Sequence, residues 1–187
     1  MTTNTAATAA KSVYGTGPVE ELIAVHTLAV LVDNEPGVLA KVIGLFSGRG
    51  YNIESLTVAE TDHDKNLSRI TLVCSGTAVV IEQIKNQLGR IVPVRDVHDL
   101  TIEGSFVSRE LALVKVSGVG EHRIEALRIA DIFRARVVDS TLSSFLFEVT
   151  GTTEKIDAFI NLMRPLGIED ISRTGVAAMA RGTKEAA

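Results

Sequence analysis

Residues 28–57 constrain the fold more than any other part of this chain, because three patterns follow one another there without a gap. Residues 25–33 form an apolar, β-branched run that predicts a strand. The turn formers Asp-Asn-Glu-Pro-Gly lead into apolar residues at helical spacing, with Pro36 expected at the first helical position. Residues 47–50 are expected to end this helix, because their glycines can adopt the left-handed conformation of a C-cap. Asn52 is then expected to begin a second strand.

The order strand, helix, strand, strand, helix, strand is complete by residue 101. Further strands are expected at residues 67–74 and 91–101, and Val80, Ile84 and Leu88 mark the helix between them. Pro93 places the last of these strands at a sheet edge, because proline has no N–H to donate to a neighbouring strand. This order predicts a four-stranded antiparallel sheet with two helices on one face.

The same order repeats in the second half of the chain, after an expected linker at residues 102–108. Strands are predicted at residues 110–117, 136–142, 144–150 and 168–179, and helices at residues 121–134 and after a Thr153 cap. In the first of these helices Ile124, Leu127 and Ile132 lie off the main apolar face, which indicates contact with a partner.

The predicted fold class is therefore α+β, with two ferredoxin-like βαββαβ domains. The domains are expected at residues 22–102 and 109–182. A disordered N-terminal tail is expected at residues 1–21, which are rich in Thr and Ala, and a short tail at residues 183–187.

The composition is that of an ordinary globular protein, 45% hydrophobic and 22% charged, and it argues against several classes. A net charge of −4 without a basic run is not typical of a nucleic-acid binder. No apolar stretch reaches the roughly 18 residues of a membrane span, and the N-terminal residues lack the apolar segment of a secretory signal. The single cysteine, Cys74, cannot form a disulfide within the chain, so a reducing, cytoplasmic location is expected.

No catalytic constellation is visible in the sequence. The four histidines do not pair at metal-ligand spacing, and C-x-x-C and H-E-x-x-H motifs are absent, so no metal site is predicted. Cys74 alternates with apolar residues in an expected strand and is interpreted as a buried structural cysteine. Gly118 and Gly120 precede a helix, but a lone pair of glycines is more typical of an ordinary turn than of an anion site.

The turn before the first helix is the strongest candidate for ligand binding. Gly37 and Val38 are expected at a helix N-terminus, where free N–H groups and the helix dipole favour an anion such as a carboxylate. Asn34 and Asn52 add side-chain amides that both donate and accept hydrogen bonds. Together these groups suit the carboxylate and ammonium of an amino acid. The alternative stays open at this point, because Asp, Asn, Pro and Gly are also common turn residues.

Three longer runs make the chain recognisable. The run LVDNEPGVL at residues 31–39 resembles the ACT domain, a βαββαβ module that binds amino acids at dimer interfaces. The runs VIGLFS at residues 42–47 and RGYNIESLTV at residues 49–58 are far more specific, and resemble the regulatory (small) subunit of acetohydroxyacid synthase, also called acetolactate synthase. Shorter agreements continue to RTG at residues 173–175, so the similarity covers roughly residues 21–182.

The resemblance implies a regulatory protein without a catalytic site. Members of that family bind a separate catalytic subunit that carries thiamine diphosphate, a divalent metal and FAD. They raise its activity and confer feedback inhibition by valine, so no cofactor is expected in this chain itself. The resemblance also implies a homodimer through ACT domains, in which the two asparagines around one ligand can come from different chains. The family's valine-binding determinants correspond here to Asn34, Pro36, Gly37, Val38, Asn52 and Ile53.

Two other functions remain open on the sequence. A stand-alone amino-acid-sensing ACT protein, acting on another enzyme or on transcription, accounts for the turn but not for the second domain or the RGYNIESLTV run. An enzyme in its own right requires a catalytic set that the sequence does not display.

Overall fold

The computed structural model describes residues 22–182, and the tails expected at residues 1–21 and 183–187 lie outside the described residues. Nine strands and four α-helices are present in this range. In chain order they are β1 (Ala24–Asp33), α1 (Val38–Arg49), β2 (Ser55–Asp62), β3 (Leu67–Gly76), α2 (Ala78–Leu88), β4 (Val94–Asp99), β5 (Phe106–Ser117), α3 (Glu121–Phe133), β6 (Arg136–Ser140), β7 (Ser144–Gly151), α4 (Thr153–Met163), β8 (Ile168–Arg173) and β9 (Ala177–Ala180). A 3₁₀ turn, Arg164–Leu166, follows α4.

The strands form two antiparallel sheets. The first has the order β2-β3-β1-β4 and the second the order β6-β7-β5-β8, with β9 added to one end of β5. Each order is that of a ferredoxin-like βαββαβ unit, so the predicted α+β fold class with two such units is confirmed.

Alternation along the central strands separates a helix-facing side from an open side in each sheet. In the first sheet Leu28, Val30 and Val32 of β1 are fully buried in a core shared with α1 and α2. In the second sheet Ala112 and Val114 of β5 are buried in the same way with α3 and α4. Each unit therefore has its own apolar core.

Three strand predictions are corrected by the structure. The linker is shorter than expected, because β5 already begins at Phe106. The single strand expected at residues 168–179 is two strands, β8 and β9, with a left-handed residue, Gly175 (φ 80°), between them. Pro93 precedes β4 rather than lying inside it, although β4 is an edge strand as predicted.

The helices follow the predicted periodicity, with one cap misassigned. Thr152 rather than Thr153 caps α4, since the Thr152 side chain accepts a hydrogen bond from the Lys155 N–H. The two threonines are adjacent and chemically equivalent as caps, so the pattern alone did not separate them. On α3 the predicted off-face residues are all exposed, to 56%, 38% and 76% of their surface for Ile124, Leu127 and Ile132. Their contact with a partner stays a prediction.

The two units meet on the open side of the first sheet. The C-terminal part of β5 pairs with β7 and β8, whereas its first four residues pair with β9. Val176 and Ala178 at this strand pack with Phe106 against Ala29 and Val73 of the first sheet. Strand β9 therefore ties the second unit to the first.

Candidate effector site

The turn after β1 is held from both sides by hydrogen bonds. The Asp33 N–H donates to the Pro93 carbonyl oxygen (2.8 Å), and Arg95 Nε donates to the Asp33 carboxylate (2.8 Å). On the other side the Asn34 N–H donates to the Asn66 carbonyl oxygen (2.8 Å), and Asn66 Nδ2 donates to the Asn34 carbonyl oxygen (3.3 Å). The turn is thus fixed to the loops on its two flanks before any ligand arrives.

The N-terminus of helix α1 has no side-chain cap. Gly37 is its N-cap residue with φ 86°, a left-handed conformation that favours glycine, and the helix starts at Val38 rather than at Pro36 as predicted. No side chain caps the first-turn N–H groups, and the first turn contains no acidic residue. An uncapped helix N-terminus of this kind leaves several N–H groups and the positive end of the helix dipole available to an anion.

The predicted side chains divide into exposed polar groups and apolar groups on the core. Asn34 and Asn52 are both exposed, and within residues 22–182 their side-chain amides form no hydrogen bond. Val38 is buried in the core of the first unit, and its N–H makes a long hydrogen bond to the Glu35 carbonyl oxygen (3.3 Å). Ile53 is half-buried against the same core. Pro36 is exposed in the turn.

A fixed loop carries Asn52 from the C-terminus of α1 to β2. Gly50 (φ 69°) caps the helix as predicted, with its N–H directed to the carbonyl oxygens of Phe46 and Ser47. The Tyr51 ring then meets the Phe46 ring edge-on, with 6.1 Å between ring centroids. Because β2 begins only at Ser55, the expectation that Asn52 begins that strand is wrong.

One chain does not bring Asn34 and Asn52 together. They lie beyond opposite ends of α1, and a helix of 12 residues is about 18 Å long. The hydrogen bonds to β3 also show this separation. Asn34 is bonded to Asn66, directly before β3 begins, whereas the Glu54 N–H, two residues after Asn52, donates to the Val73 carbonyl oxygen near the other end of β3. A small amino acid spans far less than this distance, so the two amides can share such a ligand only if they come from two chains.

Helix α1 also presents a row of small residues that the sequence analysis did not identify. Ala40, Gly44 and Gly48 are exposed at i, i+4 and i+8 and form a flat stripe along one side of the helix. A Cβ atom added at Gly44 or Gly48 meets nothing within 4 Å. A small residue at every fourth position is the sequence pattern that indicates this stripe.

Asn66 is a second residue that sequence reasoning missed. It has φ 51° at the end of the loop between β2 and β3 and makes both bonds to Asn34 described above. Its signal was weak, because asparagine in a polar hairpin loop also fits an ordinary turn.

Outside this turn, the side chains that could take part in chemistry are the Cys74 thiol and the His, Asp and Glu groups. Cys74 is buried, as predicted, and burial followed by the nearby Asp99 and Glu54 carboxylates raises its pKa to about 11, so the thiol stays protonated at neutral pH. Within residues 22–182 no group of three or more His, Cys, Asp or Glu side chains is arranged to hold a metal ion. No helix in that part of the chain is long and apolar enough to cross a membrane.

Comparison with known proteins gives consistent matches over both units. A family model described as an AHAS small subunit-like ACT domain matches residues 28–96, and one described as the small subunit of acetolactate synthase matches residues 109–182. A probable acetolactate synthase small subunit of Archaeoglobus fulgidus is 50% identical over 160 residues, which are 86% of this chain and 99% of that protein. The acetolactate synthase isozyme 3 small subunit of Escherichia coli is 46% identical over 84% of this chain and 96% of that protein.

A solved structure agrees in three dimensions. The crystal structure of the acetolactate synthase small subunit from Thermotoga maritima superposes with a TM-score of 0.77 at 39% identity, covering 86% of this chain and 99% of that one. The similarity therefore extends across both βαββαβ units rather than the first alone.

Proposed function

This chain belongs to the family of acetolactate synthase small subunits, and on that basis we propose that it is a non-catalytic regulatory subunit that activates a separate catalytic subunit and confers feedback inhibition by valine. The catalytic large subunit carries thiamine diphosphate, a divalent metal and FAD in this proposal. Both subunits work in the cytoplasm in branched-chain amino-acid biosynthesis.

The observation that carries the proposed valine site is the separation of Asn34 from Asn52 by the full length of α1. The valine carboxylate sits at the start of α1 against the N–H groups of Gly37 and Val38, where the helix dipole favours negative charge. There it replaces the long hydrogen bond from the Val38 N–H to the Glu35 carbonyl oxygen (3.3 Å). Asn34 of the same chain and Asn52 of the other chain bind the polar end of the ligand from two sides. The isopropyl group rests on Ile53, which is half-buried against the core.

A two-fold homodimer through the ACT domains supplies this arrangement. Strand β2 is an edge strand, and antiparallel pairing of two β2 edges turns the second chain end for end. This rotation brings the loop after α1 of one chain towards the turn before α1 of the other. The small stripe of Ala40, Gly44 and Gly48 lets the two α1 helices approach closely across the axis.

Valine regulates in this proposal by favouring one arrangement of the two chains. A ligand shared between chains changes a conformational equilibrium only by its difference in affinity for the two states. Residues 52–54 continue into Ser55, whose Oγ accepts a hydrogen bond from the Val176 N–H of the second unit (2.8 Å). The first residue of β2, directly after the loop at the ligand, is therefore in contact with the segment that joins the units.

Mixing two single variants tests the shared site. Asn34→Ala and Asn52→Ala each alter both sites of a homodimer, so each variant alone is expected to lose most valine binding by calorimetry. In a heterodimer of the two variants both changes fall in one site, and the other site is intact. Mixing is therefore expected to restore binding at one site per heterodimer. The control is a homodimer in which each chain carries both changes. Neither of its sites is intact, so it is expected to bind no valine.

If mixing restores no binding although the chains exchange, the site lies within one chain and the proposal is wrong. Exchange is checked with chains of different mass. Strong valine binding by both single variants also contradicts the assignment of these asparagines.

A further inference from the structure

An apolar cleft of about 710 Å³ lies between the two units, on the open side of the first sheet. Its floor consists of Thr57, Ala59 and Thr61 of β2 together with Arg69 and Thr71 of β3. Thr57 is paired with Thr71 and Ala59 with Arg69, so these side chains share one face of the sheet. This face is opposite the helices, and none of the predicted valine-binding residues lines the cleft.

The ribbon formed by β5 and β9 is the wall of the cleft. Val107 and Arg109 of β5 face it together with Met179, which is paired with Val107 and is 65% exposed. Along β2 the floor runs from Thr57 to Thr61, a length of roughly 15 Å that matches about five residues of extended chain. Met179 adds a flexible, polarizable side chain of the kind that adapts to a partner.

Charge distinguishes this cleft from the rest of the molecule. Its charged lining residues are Arg69, Arg109 and Arg181, and all are cations in a chain whose net charge is −4. Arg69 Nη2 donates to the Ala178 carbonyl oxygen (3.0 Å), but its Nε is buried and has no hydrogen-bond partner in residues 22–182. The Arg109 guanidinium donates to the neighbouring Ser108 carbonyl oxygen (2.6 Å). Over the same residues none of the three guanidinium groups is paired with a carboxylate.

We infer that this cleft is a docking site for a short apolar segment of the catalytic subunit that carries carboxylate side chains. The apolar floor and wall suit the hydrophobic residues of such a segment, and the three guanidinium groups suit its carboxylates. The inference rests on the proposed function, because it assigns a surface to the partner named there.

The position of the cleft fits this role. It touches β2, β3, β5 and β9, so a bound segment contacts both units at once. It also reaches the β2 edge through which the ACT homodimer is proposed to form, and β2–β2 pairing places two clefts side by side. A segment bound there contacts the same strand that follows the valine loop.

Charge reversal tests the cationic part of the inference. Catalytic activity is measured against increasing concentrations of the full chain, at low and at high salt. We expect Arg109→Glu/Arg181→Glu to raise the half-activating concentration roughly tenfold or more, and to weaken its dependence on salt. Arg90→Glu/Arg164→Glu changes the net charge equally at two exposed arginines outside the cleft, and is expected to match the unmodified chain.

Cross-linking tests the location directly. Met179→Cys places a reactive thiol in the cleft, and the buried Cys74 thiol is protonated at neutral pH, so a photo-activated probe attaches at residue 179 alone. In the assembled complex we expect a cross-linked catalytic-subunit peptide that contains apolar residues next to Asp or Glu. Leu162→Cys, at an exposed site on α4, is the matched control and is expected to give no such peptide.

The activation and cross-linking results show whether the docking site or the proposed function is wrong. If the unmodified chain activates the catalytic subunit but the Met179→Cys probe reaches only a second copy of this chain, or nothing, the docking site is wrong and the function stands. Equal half-activating concentrations for the two double variants also overturn it. If the unmodified chain neither binds nor activates the catalytic subunit, the proposed function fails first.

Discussion

Ser55 Oγ accepts a hydrogen bond of 2.8 Å from the N–H of Val176, across a sequence separation of 121 residues. Ser55 is the first residue of β2 and follows the loop that carries Asn52, whereas Val176 belongs to the segment that docks the second unit. The contact thus joins the proposed valine site to the surface between the units. It is a physical connection through which occupancy at one end can alter packing at the other.

Ser55→Ala is expected to weaken valine inhibition of the complex while leaving activation in place. The variant leaves the buried Val176 N–H without its acceptor, which destabilises the interface by about 1–2 kcal/mol. The measurement is inhibition by valine in the reconstituted complex, together with hydrogen exchange at Val176. Ser117→Ala is the matched control, because its hydroxyl bond to the Gly167 carbonyl oxygen is long (3.3 Å) and exposed, and it lies in the second unit outside the cleft. Equal valine responses for the two variants would count against coupling through Ser55.

Gly44→Gln is expected to abolish the homodimer while leaving the folded chain at least as stable. The new side chain enters open space within its own chain, and glutamine is about 1 kcal/mol better than glycine in a helix. It projects, however, from the small stripe on which the second α1 is proposed to pack. Sedimentation measures the dimer, and circular dichroism measures the fold. Gly44→Ala keeps the stripe small and is expected to remain dimeric. A dimeric Gly44→Gln variant contradicts the proposed helix contact.

Arg173→Met is expected to destabilise the second unit by roughly 2–3 kcal/mol. The guanidinium donates to both Glu110 carboxylate oxygens (2.6 and 2.7 Å) and to Asp157 (2.7 Å), and these contacts hold the pKa of Arg173 above its usual value. Glu110 is buried, so removal of the cation leaves an uncompensated carboxylate. Asp157→Ala removes only the exposed partner and is expected to cost less than about 1 kcal/mol. Urea unfolding measures the stability of both variants. Similar losses of stability for Arg173→Met and Asp157→Ala would contradict the larger role of the buried Glu110 contact.

The raised pKa of Cys74 is expected to make the folded chain less stable at alkaline pH. Its pKa is raised from 9.0 to about 11 in the folded chain, so between these values the unfolded chain loses the thiol proton while the folded chain retains it. This contribution to stability is present below pH 9 and falls as the pH rises through 11. At pH 10 we expect the free energy of unfolding to be about 1 kcal/mol lower than at neutral pH because of this thiol. The Cys74→Ala variant lacks this contribution, so urea unfolding of the two proteins at several pH values measures it as a difference in slope. Parallel slopes for the two proteins would contradict the raised pKa.

Much of the fold was predictable from local patterns. The apolar, β-branched run of β1 and the helical spacing in α1 each specify an element without reference to distant residues, and Gly50 marks the end of α1 correctly. The break between β8 and β9 was not predictable, because it is imposed from far away in the chain. A Cβ atom at Gly175 would lie 2.8 Å from Ser55 Oγ, and β9 exists because residues 106–109 pair with it.

The candidate site was predictable in its residue types but not in its geometry. The uncapped start of α1 follows from the absence of a capping side chain and of acids in the first turn, which the sequence displays. The clamp between Asn34 and Asn66 depends on two loops that meet only once β1 and β3 are paired. The separation of Asn34 from Asn52 follows from the length of α1, and it turns a cluster of turn residues into a site that two chains must complete.

The most direct test of the proposed function is the activity of a purified acetolactate synthase catalytic subunit with and without this chain, each measured with and without valine. We expect the chain alone to have no activity and its addition to raise turnover. Valine is then expected to lower the activity of the complex but not that of the catalytic subunit alone. Turnover that is unchanged by the chain, or a complex that is indifferent to valine, would contradict it.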